Sequence, residues 1–159
     1  MNRLYCGRTI HHIVDCYSDI LIRIALQNTK TLSDAEDIVQ EVYIKLLKHQ
    51  GDFKSEEHLK AWLIKTTYHR CNDFFRSSWF KKVVTINEYM EFLAPEEQIV
   101  MEEIFQLEGV DRTVIYLYYY EGYSIKEISS IIGKKENTIS SRLQRARKKL
   151  KHILQEGSH

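Results

Sequence analysis

One proline and six glycines in 159 residues leave little to interrupt a chain, and that scarcity favours a mostly helical protein with short connections. Cysteine is just as sparse. Cys6, Cys16 and Cys71 are an odd number without close metal-ligand spacing, so buried free thiols in a reducing cytoplasm are expected. No signal-peptide pattern and no long apolar run is present, so neither export nor membrane insertion is expected. The signatures of catalysis are missing too: there is no His-Glu-x-x-His, no paired Cys-x-x-Cys, no phosphate-binding glycine loop and no recognisable nucleophile arrangement. His11 and His12, adjacent on a helix, point about 100° apart, and with His49, His58 and His69 they read as scattered surface histidines. No catalytic residue, metal or cofactor is expected, and the chain does not read as an enzyme.

A further absence is local. From Val83 through Asp111 there is no lysine or arginine, while Glu88, Glu91, Glu96, Glu97, Glu102, Glu103, Glu108 and Asp111 are acidic. From Lys134 to Lys151 the balance reverses, with Lys134, Lys135, Arg142, Arg145, Arg147, Lys148, Lys149 and Lys151 against Glu136 alone. A chain of net charge +1 therefore carries an acidic middle and a basic end. The basic end can release the counterions of a phosphate backbone; the acidic middle would repel one.

Hydrophobic periodicity supplies the elements. Residues 8–28 give a helix through Ile10, Ile13, Val14, Tyr17, Ile20, Leu21, Ile24 and Ala25. Ser33 with Glu36 has the spacing of a capping box that opens a second helix, whose inward stripe is Ala35, Ile38, Val39, Val42 and Leu46. A polar break around Phe53, from Gln50 to Glu57, precedes a third helix over His58 to Ser77 that carries Leu59, Trp62, Leu63, Thr66 and Cys71. The pattern fails between Val83 and Ala94, an acidic linker. Pro95 suits a first helical position, with Ile99, Val100, Ile104, Phe105 and Leu107 following. Val114 to Tyr120 is a run of strand-prone residues, read here as a buried helix because its neighbours are helical.

The last segment is the most specific. Ser124 with Glu127 has capping-box spacing, Ile125, Ile128 and Ile132 share a face, and Gly133 sits where a helix needs a left-handed stop. In the next helix Ile139, Leu143, Ala146 and Leu150 face inward, leaving Asn137, Ser140, Ser141, Gln144, Arg145 and Lys148 outside. Helix, glycine turn and basic helix form a helix-turn-helix, in which one helix braces and the next enters the major groove. Small polar groups near the N-terminal end suit base edges, and the cations further along suit phosphates.

With these residues in hand, the chain resembles the extracytoplasmic-function (ECF) sigma factors, the minimal two-domain promoter-recognition subunits of RNA polymerase. The resemblance is carried by Asp34-Ala-Glu-Asp-Ile-Val-Gln-Glu-Val-Tyr43, by Lys60-Ala-Trp-Leu-Ile-Lys65 running on to Asn72-Asp-Phe-Phe-Arg76, and by Glu121-Gly-Tyr-Ser-Ile-Lys-Glu-Ile128 through Ser141-Arg-Leu-Gln-Arg-Ala-Arg147. It implies an all-α fold of two small helical domains joined by an acidic linker: residues 1–82 for core polymerase and the minus-ten element, 83–94 as linker, and 95–156 as the helix-turn-helix for the minus-thirty-five element. Asp37, Gln40, Glu41 and Lys45 would dock on the clamp coiled coil of the polymerase. Phe53, Trp62, Lys65, His69, Arg76, Lys81 and Lys82 supply stacking surfaces and cations for the melted minus-ten strand, with Trp62 largely structural. Arg142 joins Asn137, Ser140, Ser141, Gln144, Arg145 and Lys148 at the minus-thirty-five duplex, and the second domain would also touch the polymerase flap.

Three departures from the family stand out. His69 replaces a usual asparagine, and an imidazole offers a base other hydrogen-bond partners than an amide does. Lys134 replaces an aliphatic residue and Lys135 a capping serine, so either Asn137 takes over the cap or the lysines serve phosphates, the reading preferred here. Leu107-Glu-Gly109 replaces a leucine-proline entry. The resemblance further implies a monomer when free and an anti-sigma factor clamping the two domains, although some relatives lack one. The rival reading is a one-component regulator, with residues 1–94 sensing a ligand ahead of an operator-binding helix-turn-helix.

Overall fold

The computed structural model describes residues 3–29, 31–77, 104 and 106–157, with side chains to residue 73 in the second stretch and to 152 in the last. The chain divides into two compact units, Met1–Val84 and Thr85–His159. Among the described residues every regular element is helical. No helix among them is long and apolar enough to cross a membrane. The expected linker at 83–94, Pro95 and the helix through Ile99, Val100 and Phe105 lie outside the described residues.

The first unit packs α1 (Ile10–Gln27), α2 (Leu32–Lys48) and α3 (Glu56–Ser77) pairwise. Each helix begins on a hydroxyl that accepts a backbone N–H three residues on: Thr9 from His12 at 3.3 Å, Thr31 from Asp34 at 3.0 Å, Ser55 from His58 at 3.1 Å. The second of these corrects the expected Ser33–Glu36 box. Thr31 and Asp34 have the same spacing two residues earlier, so Ser33 falls inside the first turn. Helix α3 likewise starts two residues ahead of the expected His58. The C-terminus of α1 has no glycine; instead Asn28 Nδ2 donates to the Ile24 carbonyl and Thr29 Oγ1 to that of Ala25, both at 2.8 Å. These side chains are buried, and they satisfy carbonyls the helix would otherwise leave open.

The expected stripe of α2 is buried throughout, against Leu21 and Ile24 of α1 and Leu59, Leu63 and Ile64 of α3 in the same core. A fully buried Leu or Ile contributes about 1.5–3 kcal/mol. Cys71 is inside this core, and burial pushes its thiol up to about 12. Cys6 and Cys16, expected to be buried, are exposed. The first lies in a turn ahead of α1. The second is on the outer face of α1, with its Sγ 3.2 Å from His12 Nε2.

In the second unit α4 (Gly109–Ile115) runs into a π turn (Tyr116–Tyr120), followed by α5 (Ile125–Ile132) and α6 (Glu136–Gly157). The strand-prone run is helical as expected, but only in part buried. Val114, Ile115, Tyr116 and Leu117 are in the core, whereas Tyr119 and Tyr120 are exposed. The wider turn, with Glu121 N donating to the Tyr116 carbonyl at 3.2 Å, swings the last tyrosines outward. Helix α6 packs on both α4 and α5. Against α4 it is pinned by Arg142, whose guanidinium pairs with Asp111 at 3.2 Å, the two side chains being 24% and 8% exposed.

Removing one partner of such a pair strands the other. Arg142→Ala is therefore expected to lower the stability of the second unit by about 1–3 kcal/mol, read as faster amide hydrogen exchange across Val114–Leu117 and Ile139–Ala146. Arg145→Ala, on the exposed face, is expected to stay within about 0.5 kcal/mol of the parent protein.

Candidate nucleic-acid interface

The helix-turn-helix is assembled by local chemistry. Ser124 Oγ accepts from Glu127 N at 3.1 Å while Glu127 Oε1 accepts from Ser124 N at 3.2 Å, closing the capping box reciprocally. At the other end of α5, Gly133 takes φ 79°, ψ 31°, the left-handed conformation that an L side chain resists. The N–H groups of Gly133 and Lys134 both return to the Ser129 carbonyl, at 2.9 and 3.3 Å, and the Ser129 hydroxyl donates to the Lys134 carbonyl. The turn is thereby closed from both sides.

Helix α6 starts at Glu136, and Ile139 N donates to the Lys135 carbonyl at 3.0 Å. Lys135 thus occupies the cap position and Asn137 lies in the first turn, so Asn137 does not take over the cap. Glu136 places a carboxylate in that same turn, where it offsets the two lysines against the helix dipole. Ile139, Leu143 and Ala146 are buried with Ile128, Ile131 and Ile132, and Leu150 is half-buried. Asn137, Ser141, Gln144, Arg145 and Lys148 are exposed and Ser140 is half-buried, so the outward set is brought onto one side. Gln144, Arg145, Arg147, Lys148 and Lys151 line an open groove of about 510 Å³. Arg142 does not share that side: expected among the DNA-facing residues, it is turned back onto Asp111.

Sequence reasoning passed over Arg147. Its Nε donates to the Tyr119 hydroxyl at 2.6 Å, and its guanidinium lies 5.3 and 5.6 Å from the Tyr118 and Tyr119 ring centroids. The bond to Tyr119 raises the Arg147 pKa. This clamp ties the later turns of α6 to the π turn; a tyrosine run paired with an arginine one element away was the available signal.

In the first unit Phe53 and Trp62, both named for the minus-ten strand, lie together, with centroids 5.6 Å apart and planes at 67°. They are joined by two histidines that had been read as scattered. His49 stacks on Phe53 at 4.9 Å and 20°, and His58 meets its edge at 5.5 Å. His58 Nδ1 also accepts from Lys54 N at 3.1 Å, which curls the loop. A Cβ at Gly51 would come 3.2 Å from His49 Nε2, so glycine lets the loop pass close beneath that ring. Lys65 is exposed and His69 half-buried; they follow Trp62 at helical spacings of three and seven on α3. The Arg76 side chain, Lys81 and Lys82 lie outside the described residues.

On α2, Asp37, Gln40 and Lys45 are exposed. Glu41 is half-buried and pairs with Arg70 of α3, raising the Arg70 pKa through that hydrogen bond. Ile44 and Leu47 are 50% and 56% exposed beside this polar set. They are apolar residues off the inward stripe, and that was the signal by which they could have been found.

Residues 13–81 match the family described as sigma-70 region 2, and residues 97–150 the one described as sigma-70, region 4. The RNA polymerase sigma factor SigV of Bacillus subtilis is 32% identical over 146 residues, covering 86% of this chain and 87% of that one. The ECF RNA polymerase sigma factor SigL of Mycobacterium tuberculosis is 31% identical over 157 residues, covering 91% and 88%. The sigma factor RpoE of Bartonella quintana, solved in complex with the anti-sigma factor NepR, shares the fold at a TM-score of 0.70 and 22% identity, covering 91% of this chain and 96% of that one. A region 2 match over the first unit removes the ground for a ligand-sensing domain there, and the regulator reading falls. With both regions matched in order and relatives aligned along most of their length, the chain belongs to the sigma-70 family, as an extracytoplasmic-function sigma factor that directs RNA polymerase to promoters.

Proposed function

We propose that the chain works as a non-catalytic initiation factor in the cytoplasm, with its two units reading the two halves of a promoter. In this reading residues 1–82 engage core polymerase and the minus-ten strand, 83–94 are the acidic tether, and 95–156 read the minus-thirty-five duplex. The observation that carries it is α6: one side is seated on α5, and the other offers Asn137, Ser141, Gln144, Arg145 and Lys148 to solvent. Polar groups at the first turns meet base edges, while Arg145, Lys148 and the lysines at the turn meet phosphates. Arg142 serves the unit's architecture instead.

On the first unit, Asp37, Gln40 and Lys45 together with Ile44 and Leu47 form the docking surface for the clamp coiled coil. Exposed apolar residues ringed by charge suit a helical partner. Glu41 contributes by fixing α2 on α3. The Phe53 loop, with Trp62, Lys65 and His69, takes the unpaired minus-ten strand by stacking and charge. Each unit alone makes few base contacts; held on one polymerase they act at high effective concentration. The tether passes through the basic channels of the enzyme as a nucleic-acid mimic, the flap receives the second unit, and an anti-sigma factor restrains the free protein.

Transcription with purified core polymerase tests the whole reading: promoter-specific transcripts from a monomeric protein are expected, and operator binding by a dimer without polymerase would overturn it. Arg145→Ala is expected to weaken transcription about equally across minus-thirty-five sequences and to lower the salt slope of promoter binding by about one, with core association unchanged in a pull-down. Asp37→Lys with Lys45→Glu is expected to have the opposite profile, weakening core association while hydrogen exchange in α1–α3 stays as in the parent protein.

A further inference from the structure

Ahead of α1 the chain makes a tight turn. Tyr5 N donates to the Arg8 carbonyl at 2.8 Å and Arg8 N to that of Tyr5 at 3.0 Å, with Cys6 and Gly7 at the tip at φ 52° and 77°. The ring of Tyr5 anchors this turn in the core, and the Arg3 guanidinium lies 5.1 Å from its centroid. From that anchor the segment reaches the loop between α2 and α3 repeatedly. Arg3 donates to the carbonyl of His49 and, at 2.9 Å, to that of Gly51. Cys6 Sγ meets the Phe53 carbonyl at 3.8 Å, a weak sulfur contact. Arg8 pairs with Glu56, the first residue of α3. The loop from His49 to Ser55 has no helical or strand ladder of its own. Backbone carbonyls there need donors from elsewhere, and the donors that hold them set the loop's path.

We infer that residues Arg3–Arg8 form a positioning strap that sets the His49–Phe53 ring pair in the orientation in which it meets the minus-ten strand; this rests on the assignment of the Phe53 loop to that strand. Arg3 and Arg8 act on the loop rather than on DNA: their guanidinium groups are taken up by two carbonyls, a carboxylate and the ring nitrogen of His12. A misplaced stacking surface loses both opening and discrimination, because both depend on a base entering at the right angle. Contacts to polymerase and to the minus-thirty-five duplex lie on other elements and are untouched.

The test uses the full chain with core polymerase and four variants: Arg3→Ala, Arg8→Glu, Arg8→Glu with Glu56→Arg, and Phe53→Ala as reference. The readouts are permanganate reactivity of minus-ten thymines, transcription from promoters with each minus-ten base replaced, the salt slope of promoter binding, and core association. Arg3→Ala and Arg8→Glu are expected to reduce opening about tenfold and to flatten the preference among minus-ten bases. Core association and salt slope are expected to stay unchanged, whereas loss of a direct phosphate contact would lower the slope by about one. The charge-swapped pair is expected to restore most of the opening. Normal opening and base preference in both single variants, with Phe53→Ala defective, would overturn the strap. So would a swapped pair that unfolds at the parent midpoint yet opens no better than Arg8→Glu, or a salt slope that drops with Arg3→Ala. A Phe53→Ala chain that opens promoters normally would remove the loop assignment, and the inference with it.

Discussion

A helix that has buried Ile139, Leu143 and Ala146 has no rotational freedom left, and that constraint decides which side chains reach solvent. Had the apolar stripe of α6 been one residue out of register, its face would have turned by about 100°, and either Gln144 in place of Leu143 or Arg145 in place of Ala146 would have been buried, according to the direction of the slip. The rest of the second unit secures this seating. The capping box and left-handed Gly133 fix where α5 begins and ends, Asp111 holds Arg142 on the α4 side, and the Tyr118–Tyr119 clamp on Arg147 holds the turns beyond. Recognition by a helix-turn-helix depends on orientation more than on affinity, and these contacts supply orientation.

The first unit solves a different problem. Its three helices share an apolar core, but the segment carrying Phe53 is irregular and takes its form from side chains around it. Two histidines and a tryptophan pack about the Phe53 ring, and Gly51 permits the close passage. A single strand has no groove to dock into, so a protein meets it with aromatic faces and cations; rigidity of those faces is what separates reading from mere adhesion. The turn ahead of α1 reaches the Gly51 carbonyl from a buried anchor at Tyr5.

Charge is arranged to match. The acidic stretch ahead of Asp111 would repel a phosphate backbone, and the basic end of α6 attracts one. In the reading proposed above, polymerase supplies the second attachment and modest contacts add as avidity.

Sequence by itself determined the helical fold, the inward stripes of α2 and α6, the capping box at Ser124 and the stop at Gly133, because each is dictated by neighbours within a turn or so of chain. Phe53 and Trp62 were legible as aromatics for one site, but their contact was not. Only the tertiary structure decided that Thr31 rather than Ser33 caps α2, since both offer a hydroxyl at the same spacing ahead of an acidic residue. It alone turned Arg142 inward, left Cys6 and Cys16 outside, and gathered His49 and His58 about Phe53. Arg142 meets a residue 31 positions away, and the three rings, though close in sequence, meet through an irregular loop; periodicity gives neither the element that lies opposite nor the path of such a loop. Local chemistry fixes what a segment is; burial against a distant partner fixes which way its side chains face.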